Sequence, residues 1–141
     1  RLDTLQAAIL KAKLPHLDAY NEARNRAATY YDRAFENHPK LKVPVRANYS
    51  SHAFHQYTLV TCDVDREALA EYMHQQGVPV KVYYPRPLHT FEPYQDLSRE
   101  ENEFKVTNAL CSSVISLPMH TELDEEQLKH ITGSLLAFLN A

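Results

Sequence analysis

The chain has 141 residues, 44% hydrophobic and 10% aromatic, enough for one domain with a real core. Its net charge of −3 gives no basic footprint for nucleic acid, and no apolar run is long enough to span a membrane. Two cysteines stand in no metal or redox spacing, and two glycines leave no Gly-rich phosphate loop. Cys62 and Cys111 read as buried, reduced thiols of a cytoplasmic protein. The start, Arg1 to Leu5, lacks the apolar region of a signal peptide, and the missing initiator Met points to a fragment.

Asp3 opens a first helix, with Gln6 completing a capping-box pattern. Leu2, Leu5, Ile9 and Ala12 recur at helical spacing until Pro15, whose ring removes one hydrogen bond and crowds a carbonyl. A second helical run places Leu17, Tyr20, Ala23, Ala27, Tyr30, Tyr31 and Ala34 on one broad face and stops at His38-Pro39. Both stripes are packing surfaces, and one of them could face another domain or subunit. Lys40 to Ser51 reads as a loop with a possible strand near Val43 to Ala47.

His55 to Cys62 predicts a central strand, with Tyr57, Leu59 and Thr61 on one face and Thr58, Val60 and Cys62 on the other. His52-x-x-His55 precedes a strand and lacks the glutamate of a zinc helix, so hydrogen-bonding histidines are expected rather than metal ligands. Asp63 or Asp65 caps the next helix, which carries Leu69, Tyr72 and Met73 inward. Gly77 is placed to end it in a left-handed cap with Val78 beyond.

Val80 to Tyr83 predicts a short strand, and Pro85 and Pro87 make a stiff extended loop of the residues after it. That arm carries two phenols, a guanidinium and an imidazole: Tyr83, Tyr84, Arg86 and His89. Such a loop off a strand end presents groups to a ligand, although the same stretch also fits a surface loop whose tyrosines lie on the core. Phe91 and Tyr94 are expected to anchor an irregular segment. Ser98-x-x-Glu101 resembles a capping box for a helix reaching about Cys111. Val114 to Leu117 is a strand stopped by Pro118. Asp124 and Gln127 cap a last helix, Leu123 and Leu128 staple it, and Leu128, Ile131, Leu135, Phe138 and Leu139 form its buried stripe. The acidic run Glu122 to Glu126 suits a helix N-terminus and is read as structural.

The expected fold is α+β, with about three mainly antiparallel strands and helices packed mostly on one face. No catalytic set assembles within the chain: its histidines lack ligand spacing, and no lysine stands in a recognisable nucleophile setting. No metal site is expected. The residues alone reach no further than an α+β domain with one candidate ligand arm.

Several stretches together carry a resemblance: Arg1-Leu2-Asp3-Thr4-Leu5-Gln6-Ala7-Ala8-Ile9-Leu10, His16-Leu17-Asp18-Ala19-Tyr20-Asn21, His55-Gln56-Tyr57, Val82-Tyr83-Tyr84-Pro85-Arg86-Pro87-Leu88-His89 and Leu117-Pro118-Met119-His120-Thr121-Glu122-Leu123. In this order they resemble the DegT/DnrJ/EryC1/StrS family of PLP-dependent sugar-nucleotide aminotransferases. The likeness covers essentially the whole chain but only the C-terminal part of that family's proteins. It implies the small C-terminal domain of an aspartate-aminotransferase-like fold. Residues 1–37 would be a kinked helical lead-in from a missing domain that holds pyridoxal 5'-phosphate and its Schiff-base lysine. The opening motif of the family reads Asn-x-Arg-Leu/Met-x-x-x-Gln-Ala. Arg1 matches its arginine, which helps bind the sugar nucleotide in some members; the asparagine would precede Arg1 by two positions. Tyr83 and Tyr84 match an aromatic pair that reaches a partner subunit's active site, and His89 matches the end of that motif. Pro15 departs from the usual helix.

The resemblance thus implies transfer of an amino group from glutamate to a keto group of a nucleotide-linked sugar. It implies a homodimer, a cytoplasmic setting and a place in polysaccharide synthesis, with no membrane or nucleic-acid partner. The substrate contacts it implies are Arg1, Tyr83, Tyr84 and His89. A dehydratase of the same family, with histidine in place of the lysine, and a non-catalytic interaction module remain alternatives.

Overall fold

The computed structural model describes residues 2–97 and 103–141. Three short strands form one antiparallel sheet: β1 (Leu41–Lys42), β2 (Tyr57–Thr61) and β3 (Val114–Leu117), with β2 in the middle. Tyr57 lies opposite Leu117, Leu59 opposite Ile115 and Leu41 opposite Thr61. The predicted central position of β2 holds, and the alternation along it turns the Tyr57, Leu59 and Thr61 face into the core.

The helices are α1 (Thr4–Lys13), α2 (Leu17–Phe35), α3 (Arg66–Gln75), α4 (Lys105–Ser113) and α5 (Glu125–Leu139). Asp3 caps α1 by accepting from the backbone of Leu5 and Gln6. Pro15 breaks the helical path as expected, leaving a three-residue 3-10 turn, Leu14–His16, between α1 and α2. Asp65, not Asp63, caps α3. Gly77 has φ +76°, and Val78 N–H donates to Met73 O at 2.9 Å while Gly77 N–H donates to His74 O at 2.9 Å. That pair of bonds is a Schellman closure, and it delivers Val78 into the core.

One core lies on one face of the sheet. α2 supplies Ala27, Ala28, Tyr31 and Phe35; α3 supplies Leu69 and Met73; α5 supplies Leu128, Ile131, Leu135 and Leu139. Tyr57, Leu59, Ile115 and Leu117 come up from the strands to meet them. The α2 stripe therefore engages only in its C-terminal half, and Leu17 stays exposed. α1 buries nothing, and Leu2, Leu5 and Ile9 face solvent in this chain.

Two predicted strands are corrected. The strand near Val43 to Ala47 sits earlier, at Leu41–Lys42, where the chain leaves α2 close enough to pair with β2. Val80 to Tyr83 is not a strand; only Lys81 pairs, through one bridge to Ser116 on the free edge of β3. Pro85 and Pro87, just beyond, lack the donors a longer ladder would need. Phe91 and Tyr94 are each 41% exposed, so they are weak anchors; short 3-10 turns, Leu88–Thr90 and Glu92–Leu97, shape that segment instead. The Ser98-x-x-Glu101 box lies outside the described residues, and α4 begins at Lys105 after Phe104 with no side-chain cap. Both cysteines are free and half-buried rather than buried.

The last helix obeys its sequence signals closely. Gln127 N–H donates to the Asp124 carboxylate at 2.8 Å, and Asp124 N–H donates to Gln127 Oε1 at 3.1 Å. Asp124→Ala is expected to lower stability by about 1 kcal/mol. A urea titration reads this, and an unchanged midpoint would mean that water replaces the cap at no cost.

Candidate functional site

The arm is fixed at its root by the core and the sheet. Val78 and Val80 are buried, and Lys81 exchanges both backbone hydrogen bonds with Ser116, at 3.0 and 2.7 Å. Beyond that bridge the side chains turn outward. Tyr83 is 44% exposed and Tyr84 73%, their rings edge-on at 5.9 Å. Neither hydroxyl has a hydrogen bond among the described residues. The peptide between the two residues is cis.

The far end of the arm is fixed by its own polar groups. Arg86 Nε donates to Thr90 Oγ1 at 3.0 Å and Nη2 to Thr90 O at 2.8 Å, with the guanidinium 4.8 Å from the centre of the Phe91 ring. Thr90 Oγ1–H in turn donates to Pro87 O at 2.8 Å. The arginine thus ties down the 3-10 turn. His89 stacks on Phe104 at 4.5 Å, with 22° between the rings, which links the arm to the start of α4. Of the sequence-predicted groups, Tyr83 and Tyr84 stand together, His89 is drawn off to Phe104, and Arg1 lies outside the described residues.

Two open clefts flank this arm and the sheet. One, of about 510 Å³, runs between the arm and α4, with Tyr84, Pro87, Leu88, Phe91, Thr107 and Cys111 on its walls. It is mostly apolar. Val106 and Leu110 of α4 add exposed apolar surface, and α4 has no buried residue. The second, of about 320 Å³, is formed by Pro44, His52, Phe54, His55, Gln56 and Thr58.

The second cleft stands on a network that no sequence motif announces. Tyr57 O–H donates to Asp32 Oδ1 at 2.7 Å, and Arg46 Nε donates to Asp32 Oδ2 at 2.8 Å. Arg46 lies 4.7 Å from the centre of the Phe54 ring, which also meets His52 at 4.2 Å and Tyr57 at 6.1 Å. Phe54 takes φ +46°, costly for a residue with a Cβ, and this packing holds it there. His52 Nδ1 accepts the Phe54 N–H at 2.8 Å, so the histidine is a hydrogen-bonding part of the loop. Burial pushes the Tyr31 and Tyr57 phenols far above the ordinary tyrosine range, and the Asp32 carboxylate adds to the effect on Tyr57. These two tyrosines hold structure; Tyr31 donates to Pro118 O at 2.9 Å. The spacing of Asp32, Arg46 and Tyr57 carries no local signal, because the three come from a helix, a loop and a strand.

The site offers phenol hydroxyls, apolar walls and a rigid backbone. Among the described residues no group of three or more His, Cys, Asp or Glu side chains could hold a metal ion. No helix among them is long and apolar enough to cross a membrane.

Comparison with known proteins agrees with this architecture. The model of the DegT/DnrJ/EryC1/StrS aminotransferase family matches residues 1–136. A pleiotropic regulatory protein of Geobacillus stearothermophilus is 35% identical over 140 residues, covering 98% of this chain and 37% of the relative. A UDP-N-acetyl-3-dehydro-alpha-D-glucosamine 3-aminotransferase of Acidithiobacillus ferrooxidans is 37% identical over 131 residues, covering 93% of this chain and 34% of the relative. The crystal structure of S. venezuelae DesV in complex with a ketimine intermediate superposes with TM-score 0.92 at 26% identity, covering 100% of this chain and 38% of that one. The chain therefore spans little more than a third of the length of these relatives, and it belongs to the DegT/DnrJ/EryC1/StrS aminotransferase family.

Proposed function

We propose that this chain is the small C-terminal domain of a PLP-dependent aminotransferase acting on a nucleotide-linked sugar, with glutamate as amino donor. The observation that carries this reading is the pair of exposed phenols, their hydroxyls without a hydrogen bond among the described residues, on an arm fixed at both ends in a chain of this family. Tyr83 and Tyr84 orient the sugar by hydrogen bonds and ring contact. Arg1 contributes a planar donor fork to the phosphate or carboxylate of the ligand.

Pyridoxal 5'-phosphate does not fit the residues of this chain. Every lysine is exposed, Lys40 donates to Leu139 O at 2.6 Å, and Lys129 pairs with Glu125 at 3.0 Å. None has the desolvated setting that makes a lysine amine nucleophilic at neutral pH. The cofactor and its lysine belong to the preceding domain. Residues 1–37 lead in from that domain, and the bare apolar side of α1 packs against it. The whole protein works as a cytoplasmic homodimer.

The test is a pair of conservative variants in the full-length protein. Tyr83→Phe and Tyr84→Phe are each expected to lower the specificity constant for the sugar nucleotide about two- to tenfold, the worth of one hydrogen bond. The half-reaction with glutamate and the melting temperature should hardly move. Equal loss in both half-reactions, or a large fall in melting temperature with unchanged sugar binding, would return the tyrosines to a structural role.

One observation favours a second reading. The relative from Geobacillus stearothermophilus bears the name of a regulatory protein, which suits a non-catalytic module. Full-length protein supplied with pyridoxal 5'-phosphate, glutamate and nucleotide-linked keto-sugars decides between the two: turnover rules out the module.

A further inference from the structure

The arm carries two cations with different fates. Arg86 is committed to Thr90 and Phe91. Lys81 is exposed, and among the described residues its ammonium has no ion pair or hydrogen bond. Its backbone is nonetheless locked, because Lys81 and Ser116 exchange both of their hydrogen bonds.

That pairing determines where the side chain stands. Residues directly opposite in an antiparallel pair share a face. Ser116 is opposite Lys81 on one side and Thr58 on the other, and the Ser116 and Thr58 hydroxyls are 2.8 Å apart. Tyr57 and Leu59, which flank Thr58, point into the core, so the row Lys81, Ser116, Thr58 lies on the outer face. Val80 is buried and Val82 half-buried, while Lys81 and Tyr83, two residues apart on the arm, are both exposed. Thr58 lines the cleft that holds His52, His55 and Gln56. Two strand spacings put that part of the sheet about 10 Å from Lys81. Lys81 thus stands two residues before an exposed phenol and across the sheet from the cleft formed by Pro44, His52, Phe54, His55, Gln56 and Thr58.

We propose that Lys81 is a substrate-binding residue that pairs with the diphosphate of the sugar nucleotide, the phenol of Tyr83 meeting the sugar and the outer cleft receiving the nucleoside. This rests on the nucleotide-sugar reading given above. A diphosphate is held best by a cation within reach, and an ammonium on a flexible stem is a compact phosphate donor. The sheet fixes only the root of that stem, so the head can track the phosphates.

Calorimetric titration of UDP and dTDP into the full-length protein, at low and at raised salt, tests it. Lys81→Gln should weaken binding of whichever nucleotide the wild type takes by about five- to tenfold and flatten its salt dependence. Lys81→Arg should keep most of the affinity, and all three proteins should melt alike. Unchanged affinity in Lys81→Gln overturns the proposal, and so does wild-type protein that binds neither nucleotide. Equal loss in the Gln and Arg variants together with a lowered melting temperature also overturns it. If binding depends on Lys81 but no keto-sugar is aminated, the lysine assignment stands and the aminotransferase reading fails.

Discussion

Above about pH 10 the chain is expected to lose stability at about 1.4 kcal/mol per pH unit for each of two buried phenols. Tyr31 and Tyr57 have no exposed surface, and both are held protonated well above the ordinary tyrosine value of 10.0. Desolvation of the phenolate is the main cause for each. Tyr57 has a second cause, because it donates to the Asp32 carboxylate and its phenolate would face that charge. In the unfolded chain both phenols release their protons near 10.0, whereas in the folded chain they keep them. The unfolded state therefore binds fewer protons above that pH, and unfolding grows more favourable as pH rises. Below it the two states bind the same number, so the contribution is fully present and constant at neutral pH. Urea midpoints measured at half-unit steps from neutral to strongly alkaline pH give the slope. Tyr31→Phe and Tyr57→Phe should each remove about half of the tyrosine share of that slope, whatever each costs at neutral pH. A flat profile up to the highest pH would show that the phenols reach water.

In a mixture of two impaired variants of the full-length protein, activity above that of either parent is expected. One variant lacks the cofactor lysine of the preceding domain; the other is Tyr84→Ala. The 73% exposure of Tyr84, beyond the root that the sheet edge and the core hold, suits a reach into the partner's site. If each site takes its lysine from one subunit and its arm from the other, a mixed dimer has one intact site. Random reassociation of equal amounts makes about half of the dimers mixed, so on the order of a quarter of wild-type activity should appear. Activity that never exceeds the parents, with mixed dimers demonstrated by differently tagged subunits, would place the arm in its own subunit's site.

The sequence by itself determined the pieces governed by near neighbours. Asp3 and Asp124 cap helices because a carboxylate reaches a backbone N–H two or three residues on. Pro15 breaks a helix and Gly77 closes one through their own backbone geometry. The alternation over 57–62, with apolar groups on both faces, marks a central strand. The family motif around Tyr83 and Tyr84 is likewise a run of adjacent residues. Tertiary structure alone decided which segments pair. Val80 to Tyr83 has the composition of a strand, yet it meets β3 at only one residue, while the short Leu41–Lys42 stretch takes the other edge of the sheet. It also decided which arm groups stay free, since Arg86 and His89 find partners in Thr90 and Phe104 while, among the described residues, the phenol hydroxyls find none. The Asp32, Arg46 and Tyr57 network and the Lys81, Ser116 and Thr58 row join residues far apart in the chain. Strand pairing and side-chain partnering depend on what the folded chain brings alongside, and no local pattern encodes that distance.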